Sequence, residues 1–394
     1  MKTHWRLPRG VDELLPPSAW RLELLRREVL DLFVSWGFEY LELPVIEYLD
    51  ALLVGSGEDL DLQTLKVVDQ VSGRQLGVRA DMTSQAVRVD AHSRMLSGVQ
   101  RLCYAGPVVF ANPEIAHESR VPIKAGAEIF GAPSLAADAE MIQLMLETMT
   151  TAGIEEPVLL IGHMGIYRGL VDALLAAGDL NATDENRLFK RVQRKSDSDV
   201  AELLADTALA GIMANLPRQM QEVDRQHQQL VSIRRALDGA PAEVLVALDE
   251  LQALVGMVFE ACDCQSLRVD VAELSGYGYH NGPVFAVYHP TAGSALAQGG
   301  RYDGIGEVFG RARPATGFDV NLKNLVGTEQ SPNTVVFAPL LSADHDESRK
   351  QTLKEEIRAL RAGGTAVWCA LSADEKAGEG MRELTWVDGE WRVQ

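Results

Sequence analysis

The sequence has few cysteines, no long apolar run and little positive charge beside its acidic content. Cysteine occurs four times in 394 residues, at positions 103, 262, 264 and 369. Cys262 and Cys264 enclose a single residue, tighter than the ~2–4-residue spacing of zinc knuckles, and no histidine cluster lies beside them. No metal site and no thiol chemistry is predicted, and all four cysteines are expected to be reduced and structural. No apolar stretch approaches the ~18–20 residues that span a bilayer. The start, MKTHWRLPRG, has no apolar h-region and no cleavage signal. The expected location is therefore the cytoplasm. Lys and Arg number 37 against 56 Asp and Glu, a net charge of −19. Nucleic-acid binders normally carry a basic footprint. The densest basic run here, RLFKRVQRK at 187–195, is bounded by acidic residues and reads as a solvated helix face. Neither tRNA, DNA nor a membrane is an expected partner. An acidic surface favours solubility and a partner with positive patches.

Hydrophobic residues make up 46% of the chain, so it is globular, and its length exceeds one comfortable core, predicting two or three domains. A helix is predicted after Pro16-Pro17, because proline fixes the backbone ahead of a first turn. Leu22, Leu25, Val29, Leu32, Phe33 and Trp36 give that helix an apolar stripe, and Gly37 stops it. Residues 64–69 and 75–79 read as a hairpin turning through Ser72-Gly73. Thr83 opens a further helix with Ala86, Val87 and Met95 as candidate buried positions. Residues 99–110 and 123–130 are extended, 138–152 is a helix with a core-type methionine stripe, and VLLIGH at 158–163 is a buried strand followed by a helix near 166–176. Residues 181–258 lack strand signals and predict an all-helical insertion.

Alternation in SLRVDVAEL restores strand character at 266–274. YHNG at 279–282 predicts a type I′ turn from that strand into PVFAVYH. SALAQGG predicts another strand, and 316–326 a helix. After EQSPN, a small unit follows: strand TVVFAPL, a helix closed by glycine, and strand TAVWCAL. The expected fold class is α+β. Its core is assigned to 1–178 and 259–328, a helical insertion to 179–258, and a small C-terminal α/β domain to 329–394.

No Ser/His/Asp triad and no phosphoryl-transfer motif can be assembled from the order and spacing of residues. GGRYDGIGEVFG at 299–310 lacks GxGxxG spacing and a G-K-[ST] ending, so by itself it is a turn-rich joint. His117 lies in a proline-bounded polar loop and reads as an ordinary exposed histidine. His163, at a strand end, reads as a satisfied structural residue.

Four stretches together resemble the catalytic domain of histidyl-tRNA synthetase, a class II synthetase: RADMT at 79–83, 104–131 with its GAEIFG ending, SGYGYHNGPVFAVY at 275–288, and 299–318 ending in RPATGF. The resemblance covers nearly all of 5–178 and 265–326 and implies an antiparallel sheet flanked by helices. LLRREVLDLFVSWGFEYLELPVIE resembles the first, dimer-forming motif, with Pro44 at its proline; self-association follows from that resemblance. From spacing alone Pro44 is equally an edge-strand proline.

The departures from that family matter as much as the match. Phe110 and Asn112 stand where the second motif has an arginine for the ATP α-phosphate and an acid. Asn324 replaces the arginine of the third motif, with Lys323 beside it, and Ser275 replaces a further arginine. A planar guanidinium binds phosphate oxygens through a fork; phenylalanine has no donor. Adenylation is therefore not expected; Arg120 in the loop is a partial substitute or, equally, a surface residue. The amino-acid side is better kept. By resemblance, Asp81 and Thr83 would hold an α-amino group, Glu128 an imidazole, and Tyr279 is one of a tyrosine pair. His280 replaces the second tyrosine, and Lys124 replaces a glutamine. Gly299, Gly300, Arg301, Tyr302 and Asp303 resemble the wall between amino-acid and adenylate spaces, with Arg301 holding Asp303 or a ligand carboxylate. An acid, a hydroxyl and an aromatic in one cleft bind a small zwitterion or persist as a polar pocket closed by internal hydrogen bonds; both readings stay open.

Acidity and a short C-terminal unit further resemble the ATP phosphoribosyltransferase regulatory subunits, synthetase-like proteins without synthetase activity. That resemblance implies a non-catalytic role required by short-form ATP phosphoribosyltransferase in the first step of histidine biosynthesis, with a part in feedback inhibition by histidine. It implies dimers within a hetero-octamer of four subunits of each kind, histidine as a small ligand, and no cofactor. The alternative is a divergent histidyl-tRNA synthetase or another amino-acid adenylating enzyme.

Overall fold

Helix Ser18–Ser35 starts directly after Pro16-Pro17 and buries Leu25, Val29 and Phe33 along one side. The computed structural model describes residues 6–53, 58–112, 119–204, 207–264, 266–274, 276, 278–289, 294–326, 335–342 and 345–394. It divides into two compact units, Met1–Gly327 and Thr328–Gln394.

The strands of the first unit are β1 (Glu39–Tyr40), β2 (Ile46–Tyr48), β3 (Leu65–Val68), β4 (Gln75–Val78), β5 (Gln100–Pro107), β6 (Ile123–Phe130), β7 (Val158–His163), β8 (Met220–Asp224), β9 (Ser266–Asp270), β10 (Pro283–Tyr288), β11 (Ala295–Arg301) and β12 (Ala315–Asn321). Nine of them form one sheet in the order β1-β5-β6-β12-β11-β10-β7-β9-β8, and β2-β4-β3 form a small second sheet. The large sheet is antiparallel except where β1 meets β5 and β7 meets β9. Strand alternation gives it two unlike faces. One register row runs Cys103, Ala127, Phe318, Gly299, Phe285 and Ile161; this apolar face joins the core of the unit with helices Leu135–Thr151, Met164–Ala177 and Ala242–Ala261. The neighbouring rows carry Glu128 and Gly317, then Tyr104, Gly126 and Asp319, on the opposite face. The polar groups therefore share one side of the sheet.

Four expectations need correction. The stretch 179–258 is not all helical, since β8 pairs with β9 at the sheet's edge. Only Val223 of that strand is buried, so no apolar alternation marks it in the sequence. The predicted helix at 316–326 is mainly β12, with a helix only over Leu322–Leu325. β12 lies between β6 and β11, and its alternation of Phe318 and Val320 with Gly317, Asp319 and Asn321 is short and runs directly into that helix. YHNG is not a hairpin turn, because β9 and β10 lie on opposite sides of β7. The chain instead crosses the end of β7, and Met164 N–H donates to the Gly282 carbonyl at 2.9 Å. Met95 is exposed rather than buried; it adopts a left-handed φ of 48° where a π-helical turn ends, while Ala86 and Val87 are buried.

In the second unit, β13 (Val336–Ala338), helix Glu347–Ala362, β14 (Val367–Cys369), β15 (Arg382–Val387) and β16 (Glu390–Val393) make a sheet ordered β14-β13-β15-β16. Its core is Val336, Ala338, Leu353, Leu384 and Trp391. The final hairpin, β15–β16, is an addition to the expected strand–helix–strand pattern. Among the described residues no helix is long and apolar enough to cross a membrane, and no group of His, Cys, Asp and Glu could hold a metal.

Candidate functional site

Glu128 sits on the polar face of β6 with 1% of its surface exposed. Its two carboxyl oxygens accept from the Tyr104 hydroxyl at 2.7 Å and the Tyr302 hydroxyl at 2.6 Å. Tyr104 Oη in turn lies 3.2 Å from Thr83 Oγ1. Two glycines make this arrangement possible. A Cβ on Gly126 would meet the Tyr104 ring at 2.6 Å, and one on Gly317 would collide with the Glu128 carboxylate. Burial pushes the Glu128 carboxyl up to about 8, against the lowering effect of the two tyrosine hydroxyls. Near neutrality this carboxyl holds its proton for much of the time.

Asp81 is half-buried at the start of the helix Thr83–Arg88, and its Oδ2 accepts from Thr83 N–H at 3.0 Å. Tyr279 packs against His280 and Tyr302, with centroids 4.2 and 6.4 Å away. On the same sheet face, Lys124 Nζ donates to Asp319 Oδ2 at 2.9 Å. Thr83, Glu128, Tyr279, His280, Tyr302 and Asp319 line one cleft of about 490 Å³, solvent included. The cleft suits a small polar molecule bearing an ammonium or another cation, with carboxyl groups and phenols converging on it.

Of the expected pocket residues, Thr83, Glu128, Tyr279 and Tyr302 line this cleft, and Asp81 is tied to it through Thr83. Arg301 does not. Its guanidinium donates to Asp138 Oδ2 at 2.6 and 3.1 Å and to the carbonyls of Ala132 and Ser134, and stands 3.7 Å from Asp303. The reason is strand parity: Gly300 shares the Glu128 row, so Arg301 points to the opposite, helix-covered face. Tyr104 and Asp319 were not singled out from the sequence, although both follow from the Gly126 register row once strand pairing is known. His163 is buried, 3.1 Å from Glu250, and accepts from Gly165 N–H, a structural setting.

The residues at the positions that the resemblance assigns to phosphate binding engage the protein itself. Phe110 packs half-buried beside the cluster of Tyr104 and Tyr302. Arg120, the substitute cation, donates to the carbonyls of Phe110 at 2.8 Å and Arg9 at 3.2 Å. Lys323 pairs with Asp12 at 3.2 Å and with Ser119 at 3.3 Å. Asn112 reaches the Leu62 carbonyl, and Asn324 is exposed. Ser275 and His117 lie outside the described residues. Lys323 has no guanidinium fork, and Arg120 directs its Nε and Nη1 to backbone carbonyls.

The histidyl-tRNA synthetase family profile matches residues 10–325, and that of the ATP phosphoribosyltransferase subunit HisZ C-terminal domain matches 334–394. An ATP phosphoribosyltransferase regulatory subunit of Pseudomonas fluorescens is 43% identical over 393 residues, covering 99% of this chain and 97% of that one. The chain belongs to the ATP phosphoribosyltransferase regulatory subunit family. A family member from Ectopseudomonas mendocina is 44% identical over 397 residues, with 99% and 97% of the two chains covered. A Bacillus halodurans structure described as an ATP phosphoribosyltransferase regulatory subunit/histidyl-tRNA synthetase superposes with a TM-score of 0.79 at 25% identity, covering 94% and 95% of the chains. A histidyl-tRNA synthetase from Nostoc sp. PCC 7120 shares the fold, with a TM-score of 0.70, 17% identity, and 96% and 88% coverage. Membership in the regulatory subunit family agrees with the class II synthetase-like α+β fold and places the C-terminal unit in the same family.

Proposed function

We propose that this chain is a non-catalytic regulatory subunit that a short-form ATP phosphoribosyltransferase requires for activity in the first step of histidine biosynthesis. One observation carries the reading: the amino-acid side of a synthetase-like pocket is built around Glu128, while the cations on the phosphate side are engaged by the protein's own carbonyls and Asp12. Such a pocket binds a small molecule without activating it. Histidine is the proposed ligand, held by Asp81, Thr83, Glu128, Tyr279 and Tyr302. It acts as feedback inhibitor by binding two arrangements of the complex with different affinity. Helix Ser18–Ser35 exposes Trp20, Leu24 and Val34, which supports self-association through the first motif and a dimer within a hetero-octamer. The chain works in the cytoplasm with no cofactor.

The test mixes the purified chain with short-form ATP phosphoribosyltransferase. Co-elution on gel filtration, a rise in transferase rate, and its loss on adding histidine are the expected outcomes. Activation without any histidine effect would leave a scaffold and remove the sensor. Histidine-dependent pyrophosphate exchange by the chain alone is expected to be absent; its appearance would restore the synthetase reading.

A further inference from the structure

The chain ahead of helix Ser18–Ser35 is pinned across the loop that enters β6. Arg120 N–H donates to the Gly10 carbonyl at 2.7 Å, and Arg120 Nη1 donates to the Arg9 carbonyl at 3.2 Å. Gly10 permits so close a crossing: its φ is 76°, and a Cβ there would meet the Arg120 side chain at 2.9 Å. Beyond it, Asp12 accepts from the Ser119 hydroxyl, and both its oxygens accept from Lys323 Nζ at 3.2 Å. Ser119 Oγ lies 3.3 Å from the same ammonium. The pair is uneven in depth, since the Lys323 side chain is 12% exposed and that of Asp12 45%. Lys323 is thus the inner partner and Asp12 the outer one. Among the described residues, Asp12 is the carboxylate that pairs with Lys323.

We propose that residues 9–12 form a strap whose Asp12 carboxylate holds Lys323 in place of an external anion, and that Asp12 thereby excludes polyphosphate ligands. Lys323 stands beside Asn324, the position that the resemblance gives to the third-motif arginine. Loss of the arginines removes the fork that grips phosphate, yet a nearly buried ammonium still demands an anion. A carboxylate on the chain's own strap meets that demand at high effective concentration, because it belongs to the same molecule. An incoming phosphate has to displace Asp12 from Lys323 and then lie next to it, like charge beside like. Exclusion has a use in the proposed complex, where the catalytic partner works on ATP. A subunit that answers to an amino acid has to ignore the nucleotide. Arg9, Gly10 and Asp12 are all exposed, so a substitution at Asp12 leaves the core of the unit untouched.

The experiment is titration calorimetry on the full chain at low ionic strength, with inorganic tripolyphosphate as the probe. Asp12→Asn keeps the size of the side chain and an acceptor for Ser119 while removing the charge. It is expected to bind tripolyphosphate roughly 10-fold more tightly than the wild type, the range of one charge-assisted hydrogen bond. Adding Lys323→Gln is expected to abolish that gain, and Asp12→Glu alone to stay at the wild-type affinity. The gain should shrink at high salt, because the pair is partly exposed. Equal affinity in the wild type and Asp12→Asn overturns the proposal. So does a gain that survives in the double variant, which puts the anion elsewhere, or a gain of the same size in Asp12→Glu. If Asp12→Asn is not folded by circular dichroism, Asp12→Ser is measured in its place against the same outcomes. A separate titration with L-histidine tests the pocket reading, so the failure of one leaves the other standing.

Discussion

Arg301→Ala destabilises the fold by about 3–5 kcal/mol, the range for removing one partner of a buried pair, and leaves the affinity of the folded protein for histidine unchanged. The side chains of Arg301 and Asp138 are 8% and 0% exposed. Alanine removes the guanidinium and also the donors to the carbonyls of Ala132 and Ser134. Asp138 is left as a buried carboxyl with its counter-charge gone. Burial already raises its pKa, and Arg301 holds it down. Without Arg301 the pKa climbs further, so the folded variant keeps a proton that the unfolded chain releases. Its stability is therefore greatest at low pH and falls as pH rises through the carboxylate range. Urea denaturation at pH 5 and pH 8 should show the larger deficit at pH 8. A histidine affinity that collapses in folded Arg301→Ala would return Arg301 to the pocket, where the sequence resemblance had placed it.

Glu128→Gln changes the pH dependence of stability more than stability itself. The Glu128 carboxyl moves from its ordinary value of 4.5 to about 8 in the folded protein, with burial as the largest cause. Between those two values the native state retains a proton that the unfolded chain gives up. This group's contribution is thus fully present below 4.5 and is lost as pH rises through about 8. The slope approaches ~1.4 kcal/mol per pH unit and sums to on the order of 5 kcal/mol across the window. Glutamine is neutral throughout and can still meet both tyrosine hydroxyls, accepting at its oxygen and donating from its amide. The variant should therefore gain on the wild type steadily from pH 5 to pH 8 in paired urea titrations. Curves that run parallel across that range would place the proton elsewhere.

The two variants lie on opposite faces of one sheet, and this is where sequence reading reached its limit. The stretch 123–130 reads as a strand, and GAEIFG marks Glu128 as a pocket residue by resemblance. GGRYDG marks Arg301 and Tyr302 in the same way. The first stays in the cleft and Arg301 leaves it, because a side chain's face depends on register with β12 and β6. Register is a property of strand pairing across ~190 residues of sequence and is invisible locally. The same holds for Lys124 and Asp319, 195 positions apart and 2.9 Å from each other. Lys124 read as a foreign cation in a cationic ligand's pocket; beside Asp319 it becomes half of a pair.

Local patterns fared best where a segment carried its own signal. The helix after Pro16-Pro17 buries Leu25, Val29 and Phe33 at helical spacing, the hairpin turns at Gly73, and VLLIGH is a continuous apolar run buried almost throughout. β8 left no such signal, since Val223 alone is buried at the sheet's edge, and the alternation in β12 is short and runs straight into a helix. The sequence by itself determined that the phosphate-binding arginines are absent, because a missing functional group is absent in any conformation. It determined the synthetase-like frame for a similar reason, since whole motifs carried it. Tertiary structure alone decided what the remaining cations do. Arg120, Lys323 and Arg301 were each open to a ligand on paper. Folding brings distant carbonyls and carboxylates within 2.6–3.2 Å of them, and a buried or half-buried cation takes the partner that packing supplies.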